Sequence, residues 1–231
     1  MPTKYFSRDV FTFLNELEEN NNKEWWEDNK QRYVSVIREP ALDFIEDFGK
    51  RLATISPHFP ADTRTNGGSL MRPNRDMRFS NDKTPYKTNV GVHFRHERGK
   101  DVHAPGFYLH LEPGQNFAGV GLWTPETAIA RAIRQAISDE PARWRRAAHG
   151  KAFTGTWSLG DHEEDYLKRV PKELDEDHPY PDDLRLKNFT AGTRLTQKTV
   201  TSAEFPDELL KSFKKATEYT RFLCDAIGVS F

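Results

Sequence analysis

The run Gly106-Phe107-Tyr108-Leu109-His110-Leu111-Glu112-Pro113-Gly114-Gln115-Asn116-Phe117-Ala118-Gly119-Val120-Gly121-Leu122-Trp123 decides the fold class. Phe107, Leu109 and Leu111 alternate with Tyr108 and His110, and an extended strand turns successive side chains to opposite faces. The pattern predicts one apolar face and one face carrying Tyr108 and His110. Pro113-Gly114 supplies turn chemistry, and Phe117 to Trp123 runs back as a second strand, so the stretch reads as a β-hairpin. Upstream, Val90, Val92 and Phe94 alternate with Gly91 and His93, which predicts a further strand with one buried face.

Helical spacing frames this sheet on both sides. Before it, Phe6, Val10, Leu14 and Leu17 recur after a cap at Ser7, and Asn20-Asn21-Asn22 stops that helix. Trp26, Tyr33 and Ile37, then Phe44, Phe48, Leu52 and Ile55, form a longer helical stripe in which Pro40 either kinks one helix or opens a second. After the hairpin, Thr124-Pro125-Glu126 sets a cap and an N1 proline before Ile129, Ile133 and Ile137, and a short helix carries Trp144 to an end near Gly150. Leu184, Leu186 and Thr190 predict another strand. Pro206 opens one C-terminal helix with Leu210, Phe213, Thr217 and Leu223 as its stripe. Helices, then strands, then helices give an α+β fold with a central antiparallel sheet, read as a single domain over residues 1–231. Residues 161–183 hold ten Asp and Glu against three Lys and Arg, which reads as an acidic surface excursion.

The 231 residues carry 34 Lys and Arg against 35 Asp and Glu, a net charge of -1, which disfavours a generic nucleic-acid binder. With 16 Phe, 7 Tyr and 5 Trp the chain has large apolar surfaces for a core. The lone Cys224 excludes an intramolecular disulfide. No stretch approaches the roughly 20 apolar residues of a membrane span, and the N-terminal residues lack a signal-peptide pattern. The expectation is a cytoplasmic protein without a membrane partner.

Chemistry concentrates in residues 72–87, where Arg72, Arg75, Arg78, Lys83 and Lys87 face only Asp76 and Asp82. The three arginines are three apart, a spacing expected to place them on one side of a turn-rich loop, since Pro73 opposes an ordinary helix. Guanidinium forks suit phosphate or carboxylate, and Asp76 and Asp82 would orient them. Thr84-Pro85 would turn the Tyr86 ring outward to stack a planar group. Met77 and Phe79 are the only apolar anchors, and Ser80 reads as a turn cap. On the hairpin's polar face, His110 would act as general acid or base and Tyr108 as a ring or hydroxyl contact. Equally, the arginines could form an internal ion-pair staple.

Other constellations are weaker. His93, His96, His103 and His110 read as surface histidines, and their spacing names no metal site. Cys224 reads as a small buried thiol. Trp25-Trp26 would send one ring to the core and the other over its edge. Gly119-x-Gly121 lacks a third glycine, and no cofactor motif is present.

The segment Arg75-Asp76-Met77-Arg78-Phe79-Ser80-Asn81-Asp82-Lys83-Thr84-Pro85-Tyr86-Lys87-Thr88-Asn89 resembles the signature of DUF2461, a family of bacterial and fungal proteins of uncharacterised function. Asn21-Asn22-Lys23-Glu24-Trp25-Trp26, the hairpin from Gly106, Asp177-His178-Pro179 and Leu184-Arg185-Leu186-Lys187 are similar to that family too. The resemblance implies one full-length domain and a shared polar surface, and carries no activity. The leading expectation is therefore an anionic, phosphorylated small ligand bound by Arg72, Arg75, Asp76, Arg78, Asp82, Lys83, Tyr86, Lys87 and Tyr108. The alternatives are a module docking an acidic protein partner or nucleic acid, and the structural staple. Oligomeric state is left open.

Overall fold

The computed structural model describes residues 5–76, 78, 82–99, 104–160 and 165–231. The Met77 and Phe79 anchors, the Ser80 turn cap, His103 and the opening of the acidic run at 161–164 lie outside the described residues.

Helix α1 (Arg8–Glu19) starts where the Ser7 hydroxyl accepts from the Asp9 amide at 3.1 Å. The three asparagines that follow divide three tasks. Asn20 closes α1, Asn22 caps α2 (Lys23–Tyr33) by accepting from the Trp25 amide at 3.0 Å, and Asn21 reaches across the molecule to Tyr86. A π-helical turn, Val34–Arg38, joins α2 to α3 (Glu39–Leu52), so the stripe is one interrupted rod. Pro40 has no amide hydrogen and its ring crowds the carbonyl four residues earlier; the wider turn, in which Glu39 donates to the Val34 carbonyl, absorbs both.

The sheet is antiparallel, in the order β1-β2-β3-β5-β4: β1 (Val90–Arg95), β2 (Gly106–Leu111), β3 (Phe117–Leu122), β4 (Ser158–Leu159) and β5 (Phe189–Arg194). The hairpin splits its faces as expected: Phe107, Leu109 and Leu111 enter the core, and Tyr108 and His110 lie on the other side. Residues 69–71 extend the sheet beyond β1, with the Met71 amide donating to the Gly91 carbonyl and the His93 amide to the Ser69 carbonyl.

Between β3 and β5 come α4 (Thr127–Asp139), α5 (Pro141–Ala148), α6 (Lys151–Thr154) and α7 (Pro181–Arg185), and after β5 come α8 (Gln197–Val200), α9 (Phe205–Lys215) and α10 (Thr217–Ala226). The buried side chains of the N-terminal helices, the inner sheet face and α9–α10 join one cluster, in which Phe48 touches Phe94 and Phe213. Among the described residues no helix is long and apolar enough to cross a membrane.

Four expectations are corrected here. Leu184 lies in α7, started by Pro181, and β5 begins only at Phe189. The C-terminal helix is two helices that break at Ala216, with Leu209 rather than Leu210 inside. The acidic run is not wholly surface. Val170, His178 and Asp183 are buried, and the Asp183 carboxylate accepts from Trp144 Nε1 at 2.6 Å and contacts His149 Nε2 at 2.5 Å. His96 is not a surface histidine but 1% exposed, with Nε2 at 2.7 Å from the Ser230 carbonyl oxygen and its ring edge-on to Phe59.

Candidate functional site

Residues 73–75 and 85–87 run antiparallel: the Arg75 amide donates to the Pro85 carbonyl at 2.9 Å and the Lys87 amide to the Pro73 carbonyl at 2.7 Å. This pairing turns the amide and carbonyl of Tyr86 away from Asn74. Asn21 meets both, its Nδ2 donating to the Tyr86 carbonyl at 2.9 Å and its Oδ1 accepting from the Tyr86 amide at 3.0 Å. One side chain thus completes the ladder as a third strand would.

An extended pair separates arginines that a turn would have gathered, so the expected three-arginine side does not form. Arg75 pairs with Asp82 and donates to the Thr84 hydroxyl at 2.6 Å. The Thr84 amide and hydroxyl, and then Arg75, hold the Asp82 carboxyl below its usual range. Arg78 folds back on Asp76 through Nε at 2.9 Å and a terminal nitrogen at 2.6 Å, which holds Asp76 down at about 2. Both of these side chains are exposed, and so is Lys83. Arg72 goes elsewhere, into a cleft.

That cleft has a volume of about 280 Å³ and lies between the α2–π–α3 rod and residues 70–74. Arg38, presented by the π-turn, and Arg72 line it, along with Lys30, Tyr33 and Asn74. Lys30 pairs with Glu27 at 3.6 Å, while Arg38 and Arg72 form no ion pair among the described residues. Lys87 is half-buried in a smaller adjoining pocket against Phe13, Leu17, Tyr33 and Met71. Burial, and then the charge of Arg72, lowers the Lys87 ammonium from its ordinary value. Tyr86 is not turned outward. Its ring is 6% exposed and stacks on Trp26 at 4.2 Å and 14°, so its aromatic surface is used by the core. Trp25 covers the edge, against Phe13 at 5.4 Å.

The second group of polar side chains sits on the outer face of the sheet. His110 Nδ1 lies 3.1 Å from the Tyr108 hydroxyl and 3.4 Å from Asn89 Nδ2, and its Nε2 lies 2.9 Å from a Glu112 carboxylate oxygen. The ring is held parallel to Phe117 at 4.7 Å. Tyr108 and His110 were legible from alternation, whereas Glu112, Asn89 and Phe117 were not singled out. Glu112 continues the same two-residue period past the strand end, the one signal that could have found it. Burial, and then the Glu112 charge, pushes the Tyr108 hydroxyl up to about 12. Beside it, Arg95 Nε donates to His93 Nδ1 at 3.3 Å, and burial, then Arg95, holds His93 down at about 4.

The face is built on glycine. A Cβ on Gly91 would lie 2.9 Å from the Tyr108 hydroxyl, and one on Gly106 would lie 2.3 Å from His93 Nε2, so both side chains lie flat across neighbouring strands. Among the described residues no group of three His, Cys, Asp or Glu could hold a metal ion. Cys224 is buried, and burial, then Asp225, pushes its thiol up to about 12.

The family model described as a conserved hypothetical protein (DUF2461) matches residues 9–222 of the 231. No curated protein and no solved structure matches the chain.

Proposed function

We propose that this chain, which belongs to the DUF2461 family, binds a small phosphorylated anion in the cleft between the α2–π–α3 rod and residues 70–74. The observation that carries the reading is that Arg38 and Arg72 converge on one cleft without an ion-pair partner among the described residues. Lys87, half-buried in the adjoining pocket beside Arg72, adds positive charge near the cleft, while Glu27 on the cleft wall is paired by Lys30. Arg offers planar, permanently charged donors to phosphate, and the cleft volume is at the small end of the range for ligand pockets. Tyr33 and Asn74, on opposite sides of the cleft, supply hydroxyl and amide contacts.

The rest of the motif supports a different role. Arg75, Asp82 and Thr84 satisfy one another, as do Arg78 and Asp76, and this favours a clasp that holds the 73–87 loop in place. Arg75, Arg78, Asp76 and Asp82 thereby shape the cleft's neighbour rather than touch its ligand.

The test is thermal unfolding with inorganic phosphate and pyrophosphate. A ligand present at 100 times its Kd stabilises by about 2.7 kcal/mol. Pyrophosphate is expected to raise the midpoint of the native chain, with the rise lost in Arg72→Ala and Arg38→Ala and retained in Arg78→Ala. An equal rise in all four proteins, or none in the native chain, overturns the proposal. A steep linear loss with log salt would transfer the site to a polyphosphate backbone instead.

A further inference from the structure

We propose that Lys87 captures the carbonyl carbon of a small phosphorylated aldehyde or ketone as an imine, while Arg38 and Arg72 hold its phosphate. This names the chemical class of the anion and rests on the cleft reading above.

A lysine amine is nucleophilic only when unprotonated, and desolvation or a neighbouring cation favours that state. Every other lysine among the described residues is exposed, whereas Lys87 is half-buried. Its amide donates to the Pro73 carbonyl at 2.7 Å, which ties it to the segment that carries Arg72. The side chain lines a pocket walled by Phe13, Leu14, Leu17 and Val90. No carboxylate lines that pocket, and the Lys87 ammonium has no hydrogen bond or ion pair among the described residues. Lys30 and Lys50, by contrast, meet Glu27 at 3.6 Å and Glu46 at 3.2 Å. Folding alone gives no reason to keep a half-buried cation in apolar company without a counter-charge. Burial, and then Arg72, lowers the ammonium from its ordinary value, so more free amine is present at neutral pH than on a surface lysine.

The pocket and the cleft share a wall. Trp26, Tyr33, Met71 and Pro73 line both, and Arg72, which lines the cleft, is near enough for its charge to act on Lys87. The carboxylate that lines the cleft, Glu27, is held by Lys30, so it does not compete with a ligand for the arginines.

In the capture step Lys87 Nζ bonds to the carbonyl carbon and passes one proton to the carbonyl oxygen, giving a carbinolamine. The nitrogen lone pair then expels that hydroxyl, which takes a proton from solvent and leaves as water, and a protonated imine remains. Tyr33, on the shared wall, is the donor to the departing oxygen. Burial, against the charge of Arg38, pushes its hydroxyl up to about 12, so it keeps its proton at neutral pH.

The probe is pyridoxal 5′-phosphate, an aldehyde that carries a phosphate, with cyanoborohydride to reduce the imine to a stable amine and mass spectrometry to follow each lysine. Lys87 is expected to label about 10-fold faster than the exposed Lys151. That advantage should vanish with pyridoxal, which lacks the phosphate, in excess pyrophosphate and in Arg72→Ala, and persist in Arg78→Ala. Should Arg72→Ala fail to fold, pyridoxal and pyrophosphate still decide on the native chain. Labelling of Lys87 no faster than Lys151, or a preference that pyridoxal shares and pyrophosphate does not suppress, overturns the proposal. The pyrophosphate unfolding shift separates the two failures: a raised midpoint without preference at Lys87 keeps the anion cleft and removes the carbonyl chemistry, whereas no rise removes both.

Discussion

Replacing Asn21 with alanine should cost far more than an asparagine between two helices would suggest. The side chain makes two hydrogen bonds, at 2.9 Å and 3.0 Å, to the carbonyl and amide of Tyr86, a residue only 6% exposed. Each bond contributes about 1 kcal/mol net, and a buried backbone group left without a partner costs about 1–3 kcal/mol. With two such groups stranded, the loss is about 2–4 kcal/mol, against a total stability of about 5–15 kcal/mol for an ordinary domain. Urea unfolding reads this directly: at an m-value of about 2–3 kcal/mol/M, the midpoint should fall by about 1 M with m unchanged. Asn21→Asp should be no better, because it keeps the acceptor for the Tyr86 amide and turns a carboxylate toward the Tyr86 carbonyl oxygen. Asn20→Ala is the control, since Asn20 makes one exposed bond to the Glu16 carbonyl. A loss in Asn21→Ala below about 0.5 kcal/mol, or equal to that of Asn20→Ala, would refute the third-strand account of Tyr86.

Three more outcomes are expected. His93 is held neutral, down at about 4, by burial and Arg95, with Tyr108 against its ring, so its contribution is present above the ordinary histidine range near 6.5 and is lost as pH falls from there toward 4. His93→Gln should flatten the thermal midpoint against pH in that window, and an unchanged slope contradicts the assignment. Gly121→Ala should destabilise by more than about 2 kcal/mol while Gly119→Ala stays within about 1 kcal/mol, because only the first meets a carbonyl at positive φ; equal unfolding midpoints would sink the distinction. Asp183→Ala should cost about 3 kcal/mol in denaturant unfolding by stranding the buried Trp144 indole N–H beside His149, and a change under about 1 kcal/mol would show that the carboxylate is dispensable.

Local alternation carried the hairpin: Phe107, Leu109 and Leu111 against Tyr108 and His110 is a pattern that only a strand with two unlike faces satisfies. What sequence spacing could not supply was pairing. Arg72, Arg75 and Arg78 look equivalent in a turn, but pairing of 73–75 with 85–87 sends Arg72 into the cleft and Arg75 to Asp82 and Thr84. Arg38 was invisible as a site residue because it lies in a helical stripe far from the motif, and only the π-turn ahead of Pro40 presents it. His96 and Asp183 are polar residues taken inward by long-range partners, Ser230 and Trp144, that no local window contains. Trp25-Trp26 divided as one core ring and one edge ring because adjacent helical positions diverge by about 100°.

The strand order also sets a timetable. Strands β1, β2 and β3 pair through short connections, but β3 meets β5 only after residues 123–188 have been made, with Phe117 opposite Arg194 and Leu122 opposite Phe189. Closing so long a segment is entropically slow, and during synthesis the three-stranded meander exists before its fourth strand emerges. Through that interval the β3 edge, with Ala118, Val120 and Leu122 on its apolar side, is open to any passing chain. Nascent-chain aggregation is therefore expected to concentrate in truncations ending between Trp123 and Asn188, and to end once β5 has been released.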